Sequence, residues 1–332
     1  MIEGLLFQHI LKLILMMFVG FAAVKTKILK SEDSRVLSKL ALFVIGPSAI
    51  ISAFQVELNA DVAGGLLEAL IIAACSILFS VFAAKMFRKA FRLNTVEEAS
   101  ILFSNAGNLV IPLVSGVLGP EWVIYTTPFL AVQLSVMWSY GVSMFQKKGT
   151  VQWKKIFLNA NLISIVIGAI LMLSRIKLPY ILPDALKSLA SMQGPIAMIV
   201  TGMLAAQLHL KRIFTDPKVY LTVVLRVVAM PAIFLLFVKA LMHFGVLLPG
   251  SYIVLIVFFA VMTPVASNVT QFSIVYGEDA EYASGINILS TLACALTMPV
   301  FVKLFLVEFS DRCLRQRKDL CKFPIDIGKQ KE

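Results

Sequence analysis

Apolar residues fall in ten stretches of membrane-spanning length along the 332-residue chain, separated by short polar breaks. They cover residues 5–24, 34–54, 63–84, 97–118, 122–145, 156–175, 186–208, 217–241, 251–275 and 282–307. A bilayer core about 30 Å thick takes roughly 20 apolar residues per helix, so ten spans use about 200 residues and leave only short connections. The pattern predicts an all-α integral membrane protein of ten transmembrane helices, with no room for a soluble catalytic domain. The fourth and ninth stretches resist drawing as ordinary helices, because Asn, Gly and Pro interrupt them in mid-membrane.

An internal repeat divides the chain. At one offset of 148, Gly20 matches Gly168, Lys39 matches Lys187, and Gly46-Pro47 matches Gly194-Pro195. Five spans per half make the second copy enter from the opposite face, an inverted repeat of the kind many secondary transporters use. The expected units are residues 1–148, 149–309 and a basic polar tail, 310–332.

Composition sharpens this reading. The chain is 59% hydrophobic and 15% charged, with a mean hydropathy of +0.89, whereas a soluble domain carries about a quarter charged residues. A net charge of +11 would suit nucleic acid, but the cations sit in short clusters between spans, such as Lys85-Arg88-Lys89-Arg92 and Lys147-Lys148-Lys154-Lys155. That is the positive-inside pattern. It sets the basic loops inside and both termini outside, against which the basic tail and the acidic Glu278-Asp279-Ala280-Glu281 argue. Glu3, with no basic stretch before the first run, marks a retained span. Cysteines and histidines are scattered, so neither a metal site nor a cofactor is expected.

The chemistry concentrates in the two interrupted stretches. The fourth reads Ser104-Asn105-Ala106-Gly107-Asn108-Leu109-Val110-Ile111-Pro112, and the ninth Thr263-Pro264-Val265-Ala266-Ser267-Asn268-Val269-Thr270-Gln271. Asn105 and Asn108 share one helical face, and proline removes a backbone donor. Broken helices at corresponding places in two halves point to a transporter's substrate site. Their inner N-termini offer amides and positive dipole ends to an anion. Asn105, Asn108, Pro112, Pro264, Ser267, Asn268 and Gln271 are therefore candidate substrate-binding residues, and Gly107, Pro112, Pro264, Gly46-Pro47 and Gly194-Pro195 candidate helix breakers. The bland alternative is a kinked, packed helix with polar residues bonding across its interface. Gln193 precedes the second Gly-Pro and would line the site. Arg226, near the middle of the eighth stretch, either balances an anionic substrate or bonds backbone carbonyls. Gln8, His9 and Lys12 form one polar face in the first span. No carboxylate sits at a span centre, which leaves coupling to H+ or Na+ open.

These motifs resemble the auxin efflux carrier family, which includes plant auxin carriers and bacterial malate and malonate permeases. The matching segments are Phe103–Asn108 with Ile111-Pro112-Leu113 and Gly119, Leu225-Arg226 with Pro231, Pro264–Asn268 with Tyr276-Gly277, and Leu289–Leu292 with Leu296–Pro299. The resemblance implies a ten-helix inverted repeat whose broken fourth and ninth helices cross, with substrate bound near the crossing and alternating access. It carries over Asn108 and Pro264–Asn268 as binding residues. Only Gln146–Lys155 joins the fifth and sixth spans, as in the short microbial type, so the expected location is a bacterial inner membrane and auxin is not the expected substrate.

The expected function is a secondary carrier of small organic anions, mono- or dicarboxylates, with a homodimer open. The alternative is a sodium-coupled symporter of the bile-acid type, for which hydroxyls (Ser104, Thr263, Ser267, Thr270) exist near the crossing but acids do not. An intramembrane enzyme built on Ser115 is more distant, since His209 and His243 fall at helix ends.

Overall fold

The computed structural model describes residues 2–55, 60–146, 160–174, 178–179, 181–206, 213, 215–243 and 252–316. Within them the chain is helical almost throughout, and the β-type pairing is one isolated antiparallel bridge, Ser104 with Val265.

The helices follow the apolar stretches to within a few residues, except where one overruns. The first is α1 (Ile2–Lys25). The second is α2 (Ser34–Leu40), joined through a π-helical turn (Ala41–Ile45) to α3 (Gly46–Ala53). Next come α4 (Ala60–Phe91), then α5 (Thr95–Leu102) and α6 (Ala106–Val117). A 3-10 segment, Pro120–Thr126, leads into α7 (Thr127–Val136), a second π-turn (Met137–Gly141) and α8 (Val142–Phe145). The later helices are α9 (Ala160–Leu173), α10 (Ile181–Ser191) and α11 (Gln193–Ala205). Then α12 (Pro217–Val224) passes through a third π-turn (Leu225–Ala229) into α13 (Met230–His243). Last are α14 (Tyr252–Met262), α15 (Ser267–Tyr276) and α16 (Ala280–Gln316). Helix α16 runs past residue 310, where the polar tail was expected to start, and residues 317–332 lie outside the described residues.

Two π-turns have a local cause. Pro47 and Pro231 each lie two residues beyond one, and the carbonyls they cannot serve, those of Phe43 and Val227, lie inside the widened turn.

Among the described residues, five helical segments are long and apolar enough to cross a membrane: Ser31–Ser52, Ala63–Phe91, Ile181–Ala205, Pro217–Met242 and Ala280–Phe305. Their outer faces carry exposed apolar side chains, among them Leu78, Phe82, Leu236, Leu296 and Val300, which suits lipid and not water. The interior holds the broken stretches. Helix α14 is buried from Ile253 to Met262, and α5 from Val96 to Leu102. A helix apolar all round belongs in a core. Lipid tails are as apolar as the core, so close packing decides helix association. Helix α1 lies on α11 at backbone contact: a Cβ on Gly20 would fall 2.1 Å from the Ile199 oxygen, and one on Gly202 1.8 Å from that of Met17. Helix α3 packs on α9 and α10, where Gly168 meets the Phe54 ring.

The N-terminus of α5 carries two buried acids. Asn94 and Glu97 form a reciprocal capping box, and Tyr282 donates to Glu97 at 2.7 Å. Glu98 pairs with Arg88 and accepts from Tyr140. Both carboxylates sit at the positive end of a helix dipole.

Candidate functional site

The two breaks meet. Phe103–Asn105 and Thr263–Ala266 pass antiparallel to each other as short non-helical segments: the Asn105 amide donates to the Pro264 carbonyl (2.9 Å), and the Ala266 amide to the Phe103 carbonyl (3.0 Å). The backbone groups of Ser104 and Val265, between those bonds, point away from each other. Away from water they need other partners, and neighbouring helices supply them. Gln133 on α7 donates to the Ser104 carbonyl (2.9 Å) and accepts from its hydroxyl. On α16, Asn287 donates to the Val265 carbonyl (3.1 Å), and the Ser290 hydroxyl accepts from the Val265 amide (3.2 Å).

Arg226 closes the account. Fully buried, it donates from Nε and Nη2 to the Thr263 carbonyl (3.1 and 2.8 Å), from Nη2 to Val261 (2.9 Å) and from Nη1 to Ile101 (3.0 Å). These oxygens end α14 and α5, so one cation faces the negative ends of both helices. The Cys294 thiol takes the Met262 carbonyl at 3.3 Å.

With the C-terminal ends bonded, the N-termini of α6 and α15 are left beside open space. A cavity of about 590 Å³ is bordered there by Ser104, Asn105, Gly107, Asn108 and Asn268, with Gly46 and Gln193 across from them. Ile50, Ile111, Leu130, Met137 and Trp138 give it apolar walls, and Lys187 is the one charged residue among its described lining. The Asn108 amide donates to Asn105 Oδ1 (2.8 Å). Asn105 is 4% exposed, and its own Nδ2 has no hydrogen-bond partner among the described residues. A buried donor of that kind is expensive unless something accepts from it.

Of the sequence candidates, Asn105, Gly107, Asn108, Asn268 and Gly46 come together at the cavity. Gly194 abuts it: a Cβ there would lie 2.9 Å from Asn108 Oδ1. Pro47 and Pro195 lie in the first turns of α3 and α11, and Pro112 lies inside α6. Pro264 serves through its carbonyl. Ser267 and Gln271 are buried but do not line the cavity, and neither does Arg226, whose bonds go to carbonyls. Gln8 and Lys12 are exposed, while His209 and the side chains of His9, Ser115 and His243 lie outside the described residues. Sequence reasoning passed over Gln133, Asn287, Ser290 and Cys294 as break partners. Their one signal was a polar or thiol side chain in an otherwise apolar stretch. No cluster of three or more His, Cys, Asp or Glu exists among the described residues.

No curated protein matches the chain. The family model described as membrane transport protein matches residues 5–151 and again 149–302, nearly the whole length. A multi-helix body with an apolar outer surface, a polar cavity at two joined helix breaks and a family match of this extent lead to one conclusion: the chain belongs to the membrane transport protein family, that of the auxin efflux carriers.

Proposed function

We propose that this membrane transporter carries small organic anions, with a carboxylate bound at the joined breaks. The observation that carries the reading is the buried Asn105 Nδ2, which borders the cavity and has no acceptor among the described residues. A carboxylate would supply one, and the N-termini of α6 and α15 favour negative charge at the same place. Asn108 and Asn268 extend the donor set without adding charge, and Lys187 offers the one cation among the described lining. The volume lies in the range of small-molecule sites.

The mechanism we infer is alternating access between two inverted halves of five spans each. Reciprocal packing supports it: α1 lies on α11 as α3 lies on α9, and each break is held by a polar side chain from the helix that follows. The joined breaks would travel as one body past α1, α3 and α11. Uptake of labelled malate, malonate and indole-acetate into proteoliposomes tests the reading. Asn108→Ala and Asn268→Ala should abolish uptake without loss of folding, and uptake untouched by both would remove the site from the breaks.

A second reading, sodium-coupled transport, has an observation of its own. Ser267, Thr270 and Gln271 lie on one face of α15, are buried, and have no partner for Ser267 Oγ, Thr270 Oγ1 or either Gln271 amide atom among the described residues. Neutral oxygens suit a hard monovalent cation. Uptake that ignores a sodium gradient would discard this reading.

A further inference from the structure

Away from the breaks, the C-terminal end of α4 forms a second concavity of about 540 Å³ that transport leaves unexplained. Lys85, Arg88, Lys89 and Arg92 line it, against one carboxylate among its described lining, Glu98. That carboxylate is 1% exposed and engaged by Arg88 and Tyr140. The Lys85 ammonium stands 4.9 Å from the Tyr140 ring centre, and Lys218 reaches the Arg92 carbonyl at 3.2 Å, adding a fifth positive charge close by. A hollow so dominated by cations repels itself unless an anion enters.

The surroundings identify the source of that anion. Leu78 and Phe82 are 68% and 67% exposed, one turn apart on α4. Lys85 and Lys89, three and seven residues beyond Phe82, continue the same stripe. A lipid-facing apolar ladder therefore leads directly into the basic hollow. We propose that this hollow binds the phosphate of an anionic phospholipid headgroup, with the acyl chains lying along Leu78 and Phe82. The basic loop belongs to the side that the positive-inside bias assigns to the cytoplasm, where anionic lipids gather. The proposal is independent of the transported substrate.

The test uses the full chain in neutral detergent micelles, with phosphatidylglycerol, phosphatidylcholine and inorganic phosphate as probes. Thermal midpoints and native mass spectrometry are the readouts. Wild type should retain phosphatidylglycerol selectively. Lys85→Gln/Lys89→Gln, which spares the Arg88–Glu98 pair, should bind it about thirtyfold more weakly, at about a fivefold loss per surface lysine. Its midpoint without lipid should match wild type, which excludes misfolding. Lys25→Gln/Lys27→Gln, in a different basic loop, should bind as wild type does. Equal weakening in both double variants, or none in the first, would overturn the proposal. Inorganic phosphate that protects as well as the lipid would overturn the membrane as the source.

Discussion

The main-chain amide of Asn105 donates to the carbonyl of Pro264 across 2.9 Å, and through that bond the two helix breaks become one structural unit. Ser104 and Val265 face each other at its centre, as a pair whose own backbone groups point outward. Such pairs bring Cα atoms to about 4.5 Å, within reach of a disulfide. Ser104→Cys/Val265→Cys should crosslink under a membrane-permeant oxidant, as read by mass spectrometry of the joined peptides. If the breaks move together, the crosslinked protein keeps its uptake. Uptake lost on oxidation and restored by reductant would mean that they separate during transport.

Arg226 spends its donors on three carbonyls at the ends of α5 and α14. Arg226→Met leaves those oxygens buried and unpaired, and should destabilise the fold by about 1–3 kcal/mol for each carbonyl left without a donor. Arg226→Lys keeps the charge, but a compact ammonium cannot reach three acceptors held by a planar fork. It should fall between the two. Thermal unfolding in detergent with substrate absent checks the order. Substrate affinity in protein that stays folded should change little, because Arg226 does not line the cavity.

The interruptions at Asn105-Ala106-Gly107-Asn108 and Pro264–Asn268 were legible in the sequence because polar and helix-breaking residues stand out in an apolar run. Helix limits were legible for the same reason. Their partners were not. Gln133 finds Ser104 from 29 residues away, and Asn287 finds Val265 from 22 away. A single amide in an apolar stretch announces a hydrogen bond without naming its acceptor. Arg226 shows the ambiguity most clearly, since a buried cation suits an anion or a set of carbonyls equally until the backbone path is known. Lys187 falls at the start of the apolar stretch 186–208, where nothing in the pattern marks it as cavity lining, and α10 brings it there as an exposed side chain.

Gly20 and Gly202 meet backbone and not flexible side chains, so neither helix can yield to a new methyl group. Gly20→Ala and Gly202→Ala should each destabilise by about 1–3 kcal/mol, the usual range for overpacking. Gly64 is the control: it lies in α4, and nothing among the described residues stands within 4 Å of its missing Cβ. Gly64→Ala should be neutral or stabilise by up to about 1 kcal/mol through helix propensity. Comparison of the three thermal midpoints checks the contrast, and equal effects at Gly20 and Gly64 would contradict the close approach of α1 to α11.

Gln271 offers the most discriminating substitution for the coupling ion. It is fully buried on α15, and neither of its amide atoms has a partner among the described residues. An apolar replacement of similar size removes an unsatisfied group, and such exchanges are often neutral or stabilising. If the side chain serves packing alone, Gln271→Leu should leave uptake and its sodium response unchanged while stability holds or rises. If its oxygen helps to seat a sodium ion, stability in sodium-free buffer should still hold or rise. The added stabilisation by sodium, however, should vanish, because an ion that binds only the folded state raises its stability through mass action. The sodium-coupled reading requires the second result, since Ser267 and Thr270 share the face of Gln271 and likewise have no partner among the described residues. Thermal midpoints of wild type and Gln271→Leu, each titrated with sodium and with potassium, decide between the two, and a sodium-induced rise of the same size in both proteins would rule out Gln271 as a ligand.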